Sequence, residues 1–513
     1  MKILKLWISK YNNLEDVEFD FKDSPLITLL VGRNGLGKSN FLEAITAIFT
    51  KLHLVKTEEE LTTEVSSDFF SYIIEYRCRD NHIRIEAKDS KLLIFVKNDE
   101  QDKFSVISFS KFKKERNSKY LPDYVIAYYS GENKRIESLF STHKKKRIDI
   151  LKKDGIGDIL GRFFFTDENF GELIFLMLWI FKDSKEYSEL VGRIFKEFLH
   201  VEYTSEISVT LKSPDFYKEK QHDGVLEIQS NSDYSKDIWN LNGKVQKFIK
   251  VLLYNHSEHS EHSEPIMYQE DKREYIKLIH LDFEKLVDQI IEEYKNPVQF
   301  FDVLEAAYNI GIFHEIKSTI NKQGARIQHN YAQLSEGEQQ LLTVLGLILF
   351  TGEYDTLFLF DEPDTHLNPQ WQRNFPELLD NFNINNENSQ ILVATHSPLI
   401  VQSSEKADTF LFRKEGDKVV IDQNMHHLRN WRIDQVLTSS YFNLNSARPV
   451  HMDDYMVLRE KLMKSNKLTE RDAEDLKKFE NDFGVLPTGE TSYEIRTFQL
   501  MNSVIEANKN DKD

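Results

Sequence analysis

Residues 32–39 read Gly-Arg-Asn-Gly-Leu-Gly-Lys-Ser, which matches the G-x-x-x-x-G-K-[ST] spacing of a phosphate-binding loop. Glycines at these positions let backbone amides converge on phosphate oxygens. Lys38 would reach the β and γ phosphates, and the Ser39 hydroxyl would bind Mg²⁺. The loop therefore predicts a site for ATP with Mg²⁺. Its other candidate contacts are Arg33, Asn34, Gly35, Gly37 and Asn40.

Two carboxylates follow an apolar run further along the chain. The run Leu357–Phe360 has the composition of a buried strand and ends at Asp361-Glu362. Sheets of parallel strands bind ligands at the carboxyl ends of their strands. Asp361 could complete the Mg²⁺ shell, and Glu362 could act as a general base on the water that attacks the γ phosphate. Without the phosphate loop, an acidic turn after a strand would carry little weight.

A third motif, Leu334-Ser335-Glu336-Gly337-Glu338, precedes that strand. Ser335 and Glu338 have the S-x-x-E spacing of a capping box, which predicts a helix that continues over 340–350. A helix start also favours an anion, because its free amides and dipole attract negative charge. Ser335 is therefore both a predicted helix cap and a candidate phosphate contact.

A histidine completes the set of motifs. The run Ile391–Ala394 predicts a strand, and Thr395-His396-Ser397-Pro398 follows it. His396 could hydrogen-bond a γ phosphate. A histidine after a strand is more often structural, but its place as the fourth motif in this order favours the functional interpretation.

The elements that position these motifs are predicted from periodicity. Apolar and polar residues alternate over Ile3–Ile8 and Val17–Phe21, as in strands with one buried face. The run Leu26–Val31 is apolar apart from Thr28, which predicts a central strand covered on both faces, and a helix follows the loop from Asn40. Short β-like runs over 72–76, 83–87, 92–96 and 106–109 predict an antiparallel meander beside the main sheet.

The long stretch 141–325 separates the motifs into two halves and predicts a mostly helical insertion. Helical stretches are expected over Leu173–His200 and Tyr275–Tyr294. The heptad pattern there is too short for a long coiled-coil arm. The His-Ser-Glu repeat at 256–264 could bind a metal if it were helical, although a solvated loop is the more common outcome for this composition.

Composition limits the classes of function. The 513 residues include 66 Lys+Arg and 84 Asp+Glu, a formal charge of -18, with 40% hydrophobic residues, which is typical of a globular protein. The acidic balance confines any nucleic-acid contact to local basic runs such as Lys111–Arg116 and Lys144–Arg147. The single cysteine, Cys78, excludes an intrachain disulfide, and the apolar windows are too short for a bilayer span. We therefore expect a cytoplasmic protein without membrane contact.

In this order, the four motifs resemble those of the ABC-type ATPase heads of the SMC and RecF-like class, and Gly32–Asn40 is especially similar to that class. The resemblance covers about residues 1–140 and 326–420. It implies an α/β fold: a P-loop ATPase head in two lobes, with a mixed sheet, an antiparallel β subdomain, and the insertion in place of a long coiled coil.

The same resemblance implies ATP hydrolysis with Mg²⁺ in a head-to-tail homodimer or a higher even oligomer. Nucleotide on Lys38 of one subunit would meet the signature of the other, where Gly337 permits close approach. The signature residues so implied are Ser335, Gly337 and Glu338, and Asp364 would lie in the D-loop.

Two departures from that class affect turnover. Glu336 and Glu338 replace the glycine and glutamine of transporter-type relatives, and a negative Glu336 near a triphosphate could slow pairing. A clear glutamine switch is missing after the predicted strand Tyr124–Tyr128, where Ser130 and Glu132 are the best stand-ins. We therefore expect slow hydrolysis, which would suit a switch or a sensor.

The tail, residues 421–513, is predicted to be helical and to contact a partner or a second subunit. Its segment Arg432–Phe442 resembles part of the PtuA-like ATPases of Septu and retron-associated anti-phage systems. That resemblance implies a regulatory platform for an HNH-type nuclease and, in the retron form, for a reverse transcriptase with its RNA–DNA product. The acidic residues of the tail lack the clustering of a two-metal nuclease site.

The sequence is compatible with three classes of function. The first is a nucleotide-gated defence ATPase that restrains or licenses a partner nuclease. The second is a DNA repair or recombination ATPase of the RecF/SMC type, which would bind DNA directly through the two basic runs. A transporter ATPase is disfavoured, because its motifs normally lie within a shorter span.

Overall fold

The structure is a computed structural model of the chain. It describes residues 1–22, 24–58, 70–88, 91–98, 103–130, 135, 138–141, 144–145, 148, 163–166, 170–214, 217, 238–241, 243–254, 266–270, 273–278, 283–294, 296–324, 329–382, 389–423, 428, 431–444, 446–464 and 469–483.

The strands form three sheets. In chain order they are β1 (Lys2–Tyr11), β2 (Leu14–Asp20), β3 (Ile27–Gly32), β4 (Tyr72–Cys78), β5 (Asn81–Lys88), β6 (Lys91–Asn98), β7 (Ser105–Ile107), β8 (Tyr124–Tyr129), β9 (Phe163–Thr166), β10 (Val201–Lys212), β11 (Ile266–Glu270), β12 (Arg273–Leu278), β13 (Phe313–Lys322), β14 (His329–Asn330), β15 (Thr356–Asp361), β16 (Gln390–Thr395), β17 (Asp408–Glu415) and β18 (Lys418–Asp422).

Helices cover the sheets and form the tail. They are α1 (Lys38–Leu54), α2 (Phe109–Glu115), α3 (Gly171–Ile180), α4 (Ser188–Arg193), α5 (Gly243–Tyr254), α6 (Phe283–Tyr294), α7 (Pro297–Asn309), α8 (Glu336–Thr351), α9 (Pro369–Phe382), α10 (Pro398–Ser403), α11 (Ile433–Thr438), α12 (Asp453–Lys464) and α13 (Glu470–Phe483). None of the helices in the described ranges is both long enough and apolar enough to cross a bilayer.

A seven-stranded sheet forms the centre of the head, in the order β18-β17-β3-β16-β15-β8-β9. Neighbouring strands are parallel except for β17 and β18, so the sheet is mixed. The strands that lead into the phosphate loop, His396 and Asp361 are adjacent, because β16 lies between β3 and β15. Their carboxyl ends therefore bring the predicted motifs to one edge of the sheet.

Strand β3 is buried along its whole length, as its mostly apolar run predicted. Leu29 and Val31 belong to the core that also contains residues of α3, α7 and α8, and Leu30 belongs to the core that contains residues of α1. Alternate side chains of one strand thus enter two separate cores. This arrangement fixes the position of the loop that follows β3.

A six-stranded antiparallel sheet, β2-β1-β4-β5-β6-β7, confirms the predicted meander. Helix α1 packs between this sheet and the central one. The rings of Phe41 in α1 and Phe19 in β2 stack with centroids 3.9 Å apart, and Phe412 of β17 lies beside both. Aromatic burial from three elements therefore anchors the helix that starts at Lys38.

The insertion supplies four strands of a five-stranded antiparallel sheet, β11-β12-β10-β13-β14, in addition to the expected helices, and β14 follows the insertion in the chain. The stretch 275–294 is not one helix: it is strand β12 up to Leu278 and helix α6 from Phe283. Strand β12 pairs antiparallel with β10 on one side and with β11 on the other. The stretch 173–200 is likewise divided into α3, α4 and a π-helical turn at Ile194–Phe198.

Helices α12 and α13 form a hairpin in the tail. Met452, Tyr455 and Met456 make a small apolar cluster that Phe479 covers. The His-Ser-Glu repeat at 256–264 and the chain from 484 onward lie outside the described residues.

Candidate functional site

The phosphate-binding loop runs from the end of β3 to the start of α1. Gly35 and Gly37 have φ angles of 79° and 100°, in the left-handed region that favours glycine. A Cβ at Gly37 would also approach Oδ1 of Asn13 to 2.7 Å. Asn13 supports the loop by donating from Nδ2 to the Gly35 carbonyl at 2.6 Å. Arg33 and Asn34 are exposed, so a ligand could reach them.

Lys38 is buried beneath this loop. Its Nζ donates to the Gly32 carbonyl at 2.8 Å and lies 2.8 Å from Nε2 of His396. Burial lowers the pKa of Lys38 to about 8, and the nearby charges of Glu362 and Asp361 oppose that shift. The ammonium group is therefore still charged at neutral pH, as contact with a phosphate requires.

Asp361 lies at the end of β15 and is only 1% exposed. Within the described part of the chain, neither carboxylate oxygen accepts a well-oriented hydrogen bond. Burial raises the pKa of Asp361 to about 6, while the nearby Ser39 hydroxyl opposes the rise. A buried carboxylate with spare lone pairs beside a hydroxyl fits Mg²⁺, which takes oxygen ligands. Ser39 and Asp361 are thus suited to hold the ion.

Glu362 begins the turn after β15 in a left-handed conformation, with φ 52°. Its amide donates to the Ala394 carbonyl at 2.8 Å. Its carbonyl accepts hydrogen bonds from Ser130 Oγ at 2.7 Å, Thr365 Oγ1 at 2.9 Å and Gln340 Nε2 at 3.4 Å. A left-handed non-glycine residue costs about 1–3 kcal/mol, which such contacts offset.

The imidazole of His396 joins the two halves of the site. Its Nε2 lies 2.9 Å from Oε1 of Glu362 and 2.8 Å from Nζ of Lys38. A neutral ring nitrogen can donate to Glu362 or accept from Lys38, but it cannot do both. The hydrogen bond from His396 lowers the pKa of Glu362, and burial opposes that shift. Glu362 is therefore ionised at neutral pH and can accept a proton or orient a water molecule.

Ser335 is the N-cap of α8, as predicted. Its Oγ accepts from the Glu338 amide at 3.3 Å, and Oε2 of Glu338 accepts from the Ser335 amide at 2.8 Å. The predicted capping box is confirmed. Both added carboxylates of the signature are paired within the chain: Glu338 with Lys322 at 2.6 Å and Glu336 with His366 at 2.9 Å.

Gly337 lies against the D-loop of its own chain. A Cβ at this position would approach the His366 carbonyl oxygen to 2.5 Å. The resemblance implied that Gly337 admits a ligand, and the structure adds a reason for glycine inside the subunit. Asp364 is buried in the same turn, where burial raises its pKa to about 6 and a hydrogen bond from Thr395 opposes the rise.

The predicted residues fall into two groups. Lys38, Ser39, Asp361, Glu362 and His396 surround the phosphate loop, and Ser335, Gly337 and Glu338 lie at the start of α8. Gln340 connects the groups, because its Nε2 donates to the Glu362 carbonyl and its Oε1 accepts from the His366 amide at 3.2 Å. Within the described ranges, no hydrogen bond joins Ser335 to the phosphate loop of its own chain.

The stand-ins for a glutamine switch are placed only in part. Ser130 follows β8 and bonds to the turn after β15, whereas Glu132 lies outside the described residues. Arg135 is a site residue that the sequence analysis missed: its Nη2 donates to Asn40 Oδ1 at 2.7 Å and to Glu43 Oε2 at 2.8 Å. A carboxylate within the apolar run of α1 was the available signal, since Glu43 is buried.

The two basic runs, Lys111–Arg116 and Lys144–Arg147, differ in their contacts with the rest of the chain. Arg116 donates from Nη1 to the carbonyls of Leu52 and Val55, each at 2.9 Å, and so caps the end of α1. Part of the first run therefore serves the fold. In the second run, Lys144 and Lys145 are exposed, and 146–147 lie outside the described residues.

Known proteins match different shares of the chain. Residues 27–402 match the family model described as "AAA domain, putative AbiEii toxin, Type IV TA system". The "DNA replication and repair protein RecF" of Desulfitobacterium hafniense is 28% identical over 134 residues, 26% of this chain and 33% of that protein. The "Retron Ec83 probable ATPase" of Escherichia coli is 24% identical over 446 residues, 82% of this chain and 72% of that protein. The SMC head domain from Thermotoga maritima is 12% identical in sequence and has a TM-score of 0.33. That structural match covers 83% of this chain and 100% of that domain.

Of these matches, the family match says the most about this chain. It includes the phosphate loop, the insertion, the signature, Asp361, Glu362 and His396 in one continuous span. The chain covers only about a third of the length of that RecF protein. Because the matched span, residues 27–402, is well over half of the sequence, the chain belongs to this AAA-domain family.

Proposed function

We propose that this chain hydrolyses ATP between two head-to-tail copies and uses the bound nucleotide to gate a partner nuclease in anti-phage defence. One observation carries the catalytic part: Lys38, His396 and Glu362 form a chain of contacts beside the buried carboxylate of Asp361. A cation for phosphate, a ligand for Mg²⁺ and an ionised base are thus in one place.

Each residue has a distinct task in this proposal. Lys38 holds the β and γ phosphates, and Ser39 with Asp361 holds Mg²⁺, which would offset phosphate charge. Glu362 accepts the proton of the attacking water as the γ phosphate leaves ADP. His396 is released from Lys38 when the phosphates take the ammonium group, and its Nε2–H can then donate to Glu362 or to the γ phosphate.

Pairing of two copies is supported by the placement of Ser335. It is exposed at the start of α8, and its contacts within the chain are to its own capping box. A second subunit would therefore find the hydroxyl and the helix start accessible. Nδ1 of His366 lies 2.9 Å from Oε2 of Glu336, so this signature carboxylate has a contact within its own chain.

The defence role is supported by the length of the retron match. An alignment of 446 residues is too long to be confined to the two proposed lobes, 1–140 and 326–420, so similarity extends into the insertion or the tail. The tail segment Arg432–Phe442 supports the same assignment by resemblance to PtuA-like ATPases. The partner in this proposal is an HNH-type nuclease, with a reverse transcriptase and its RNA–DNA product in a retron system.

Copurification tests this proposal. The chain carrying Glu362→Gln would be expressed in its native host, isolated with ATP and Mg²⁺, and its bound protein and nucleic acid identified. Recovery of a small nuclease in stoichiometric amount supports the defence role. Recovery of broken duplex DNA without a nuclease contradicts it.

The second candidate is a DNA repair or recombination ATPase, which the RecF similarity favours. That match includes only 134 residues, a third of the RecF protein's length, so it gives limited support for DNA contact. Salt-dependent DNA binding by the purified chain, lost when Lys144 and Lys145 are replaced by glutamine, would favour this alternative. Unchanged binding in that variant would argue against the second basic run as a DNA contact.

A further inference from the structure

We infer that Lys322 is a positioning residue for the signature serine: it neutralises Glu338 so that Ser335 can meet the γ phosphate of a nucleotide held by a second subunit. The inference rests on the proposed head-to-tail site. Because Lys322 ends strand β13 of the insertion, it also gives the insertion a role in ATP turnover.

Glu338 uses both of its carboxylate oxygens. Oε1 lies 2.6 Å from Nζ of Lys322. Oε2 accepts from the Ser335 amide at 2.8 Å and from the Ser335 hydroxyl at 3.1 Å. The side chains of Lys322 and Glu338 are 21% and 12% exposed, so water screens their charges only weakly.

The carboxylate thus contacts the hydroxyl that would meet the phosphate. Without a cation beside it, the negative charge of Glu338 would repel a triphosphate. The carboxylate would also keep the Ser335 hydroxyl hydrogen-bonded to itself. With Lys322 in place the pair has no net charge, and the hydroxyl can exchange its acceptor. A neutral glutamine, as in transporter-type relatives, would need no such cation.

Lys322 lies in the five-stranded sheet, whereas the signature that it contacts lies at the start of helix α8. Strand β13 pairs along β10, where Lys322 lies opposite Val201 in the insertion. Displacement of this sheet relative to α8 would separate Lys322 from Glu338. A partner that binds the insertion would then alter the signature without touching the nucleotide.

The test measures ATP-dependent pairing in a Glu362→Gln background, in which turnover does not consume the ligand. Lys322→Met removes the charge and keeps the side-chain stem. We expect the ATP concentration for half-maximal pairing to rise roughly tenfold or more, since one partner of a shielded charge pair is lost. Lys322→Arg should restore most of the pairing. Lys317→Met is the matched control, because Lys317 lies on the same strand and pairs with Glu315.

Glu338→Gln separates charge neutralisation from other roles. If Lys322 acts through Glu338, Lys322→Met should cause no further loss when Glu338 is already glutamine. This double variant has no unpaired charge, so it remains informative even if Lys322→Met alone unfolds. An equal loss in both backgrounds, or unimpaired pairing of Lys322→Met, overturns the inference.

Ser335→Arg distinguishes failure of the inference from failure of the proposed site. If Ser335→Arg pairs normally with ATP, the head-to-tail site itself is wrong. If Ser335→Arg abolishes pairing while Lys322→Met pairs as the parent does, only the role of Lys322 is wrong.

Discussion

Nε2 of His396 lies within hydrogen-bonding distance of both Nζ of Lys38 and Oε1 of Glu362. Lys38, which is placed to bind phosphate, and Glu362, which is placed to orient a water molecule, thus contact the same imidazole nitrogen. Nδ1 of the same ring also lies 3.3 Å from Nζ of Lys38, so a neutral ring can accept from Lys38 through Nδ1 while Nε2–H donates to Glu362. A phosphate that takes the ammonium group of Lys38 would therefore remove one of the two contacts that hold the ring beside Glu362. This relationship connects binding to hydrolysis within a single subunit.

Glu362→Gln should abolish turnover while ATP binding persists. An amide cannot accept the proton of the attacking water, so kcat should fall by about 100- to 10,000-fold. The measurement is phosphate release at saturating ATP, with nucleotide affinity determined separately by calorimetry. Glu189→Gln, at an exposed position of α4, is the control and should keep the parental rate. Undiminished turnover in Glu362→Gln would exclude this residue as the base.

Gly337→Ala should destabilise the chain even though alanine favours helices. Its Cβ would lie 2.5 Å from the His366 carbonyl oxygen, so the D-loop must move. We expect a loss of about 1–3 kcal/mol in the free energy of unfolding, as for overpacked sites. Gly192→Ala is the control, because a Cβ there meets nothing within 4 Å and should stabilise α4 slightly. Denaturant titration measures both, and equal effects of the two substitutions would contradict the close packing.

Glu172→Gln should stabilise the chain at alkaline pH. Burial raises the pKa of Glu172 to about 7, and the charge of Glu315 adds to the rise. Between the unfolded pKa, near 4.3, and about 7, the unfolded chain releases a proton that the folded chain retains, so stability falls as pH rises through this window. The variant lacks this loss.

We expect Glu172→Gln to gain about 1–2 kcal/mol at pH 8, after discounting for partial solvent screening, and almost nothing at pH 4. Thermal unfolding at the two pH values measures the difference. Glu189→Gln, in the first turn of α4, serves as the control and should show no comparable gain. A gain of equal size at both pH values would rule out titration of Glu172 as the cause.

Local patterns predicted most of the head and its first group of site residues. The apolar runs that became β3, β15 and β16 lead into the glycine loop, Asp361 and His396, respectively. The residue types at these three places indicate their chemistry. The capping box at Ser335 is local too, since its contacts lie within four residues. Such features depend on periodicity and turn chemistry, which a single sequence contains.

Contacts between distant segments could not be predicted in the same way. Lys322 and Glu338 are 16 residues apart, beyond the reach of a helix or turn pattern, and β13 itself pairs with β10, which lies about a hundred residues earlier in the chain. Arg135 meets Glu43 only because β8 lies in the same head as α1. The insertion sheet itself was missed because short runs such as β12 are ambiguous between helix and strand until their partners are known.

Mixing two inactive variants tests the central claim most directly. Lys38→Ala removes the phosphate contact, and Ser335→Arg blocks the signature, so each variant alone should be inactive. A mixed pair retains one complete site, built from Lys38 of one subunit and Ser335 of the other. Since half of randomly formed pairs are mixed, ATPase activity should return to about one quarter of the parental value. Activity that stays at the background of the separate variants would contradict a site shared between two copies.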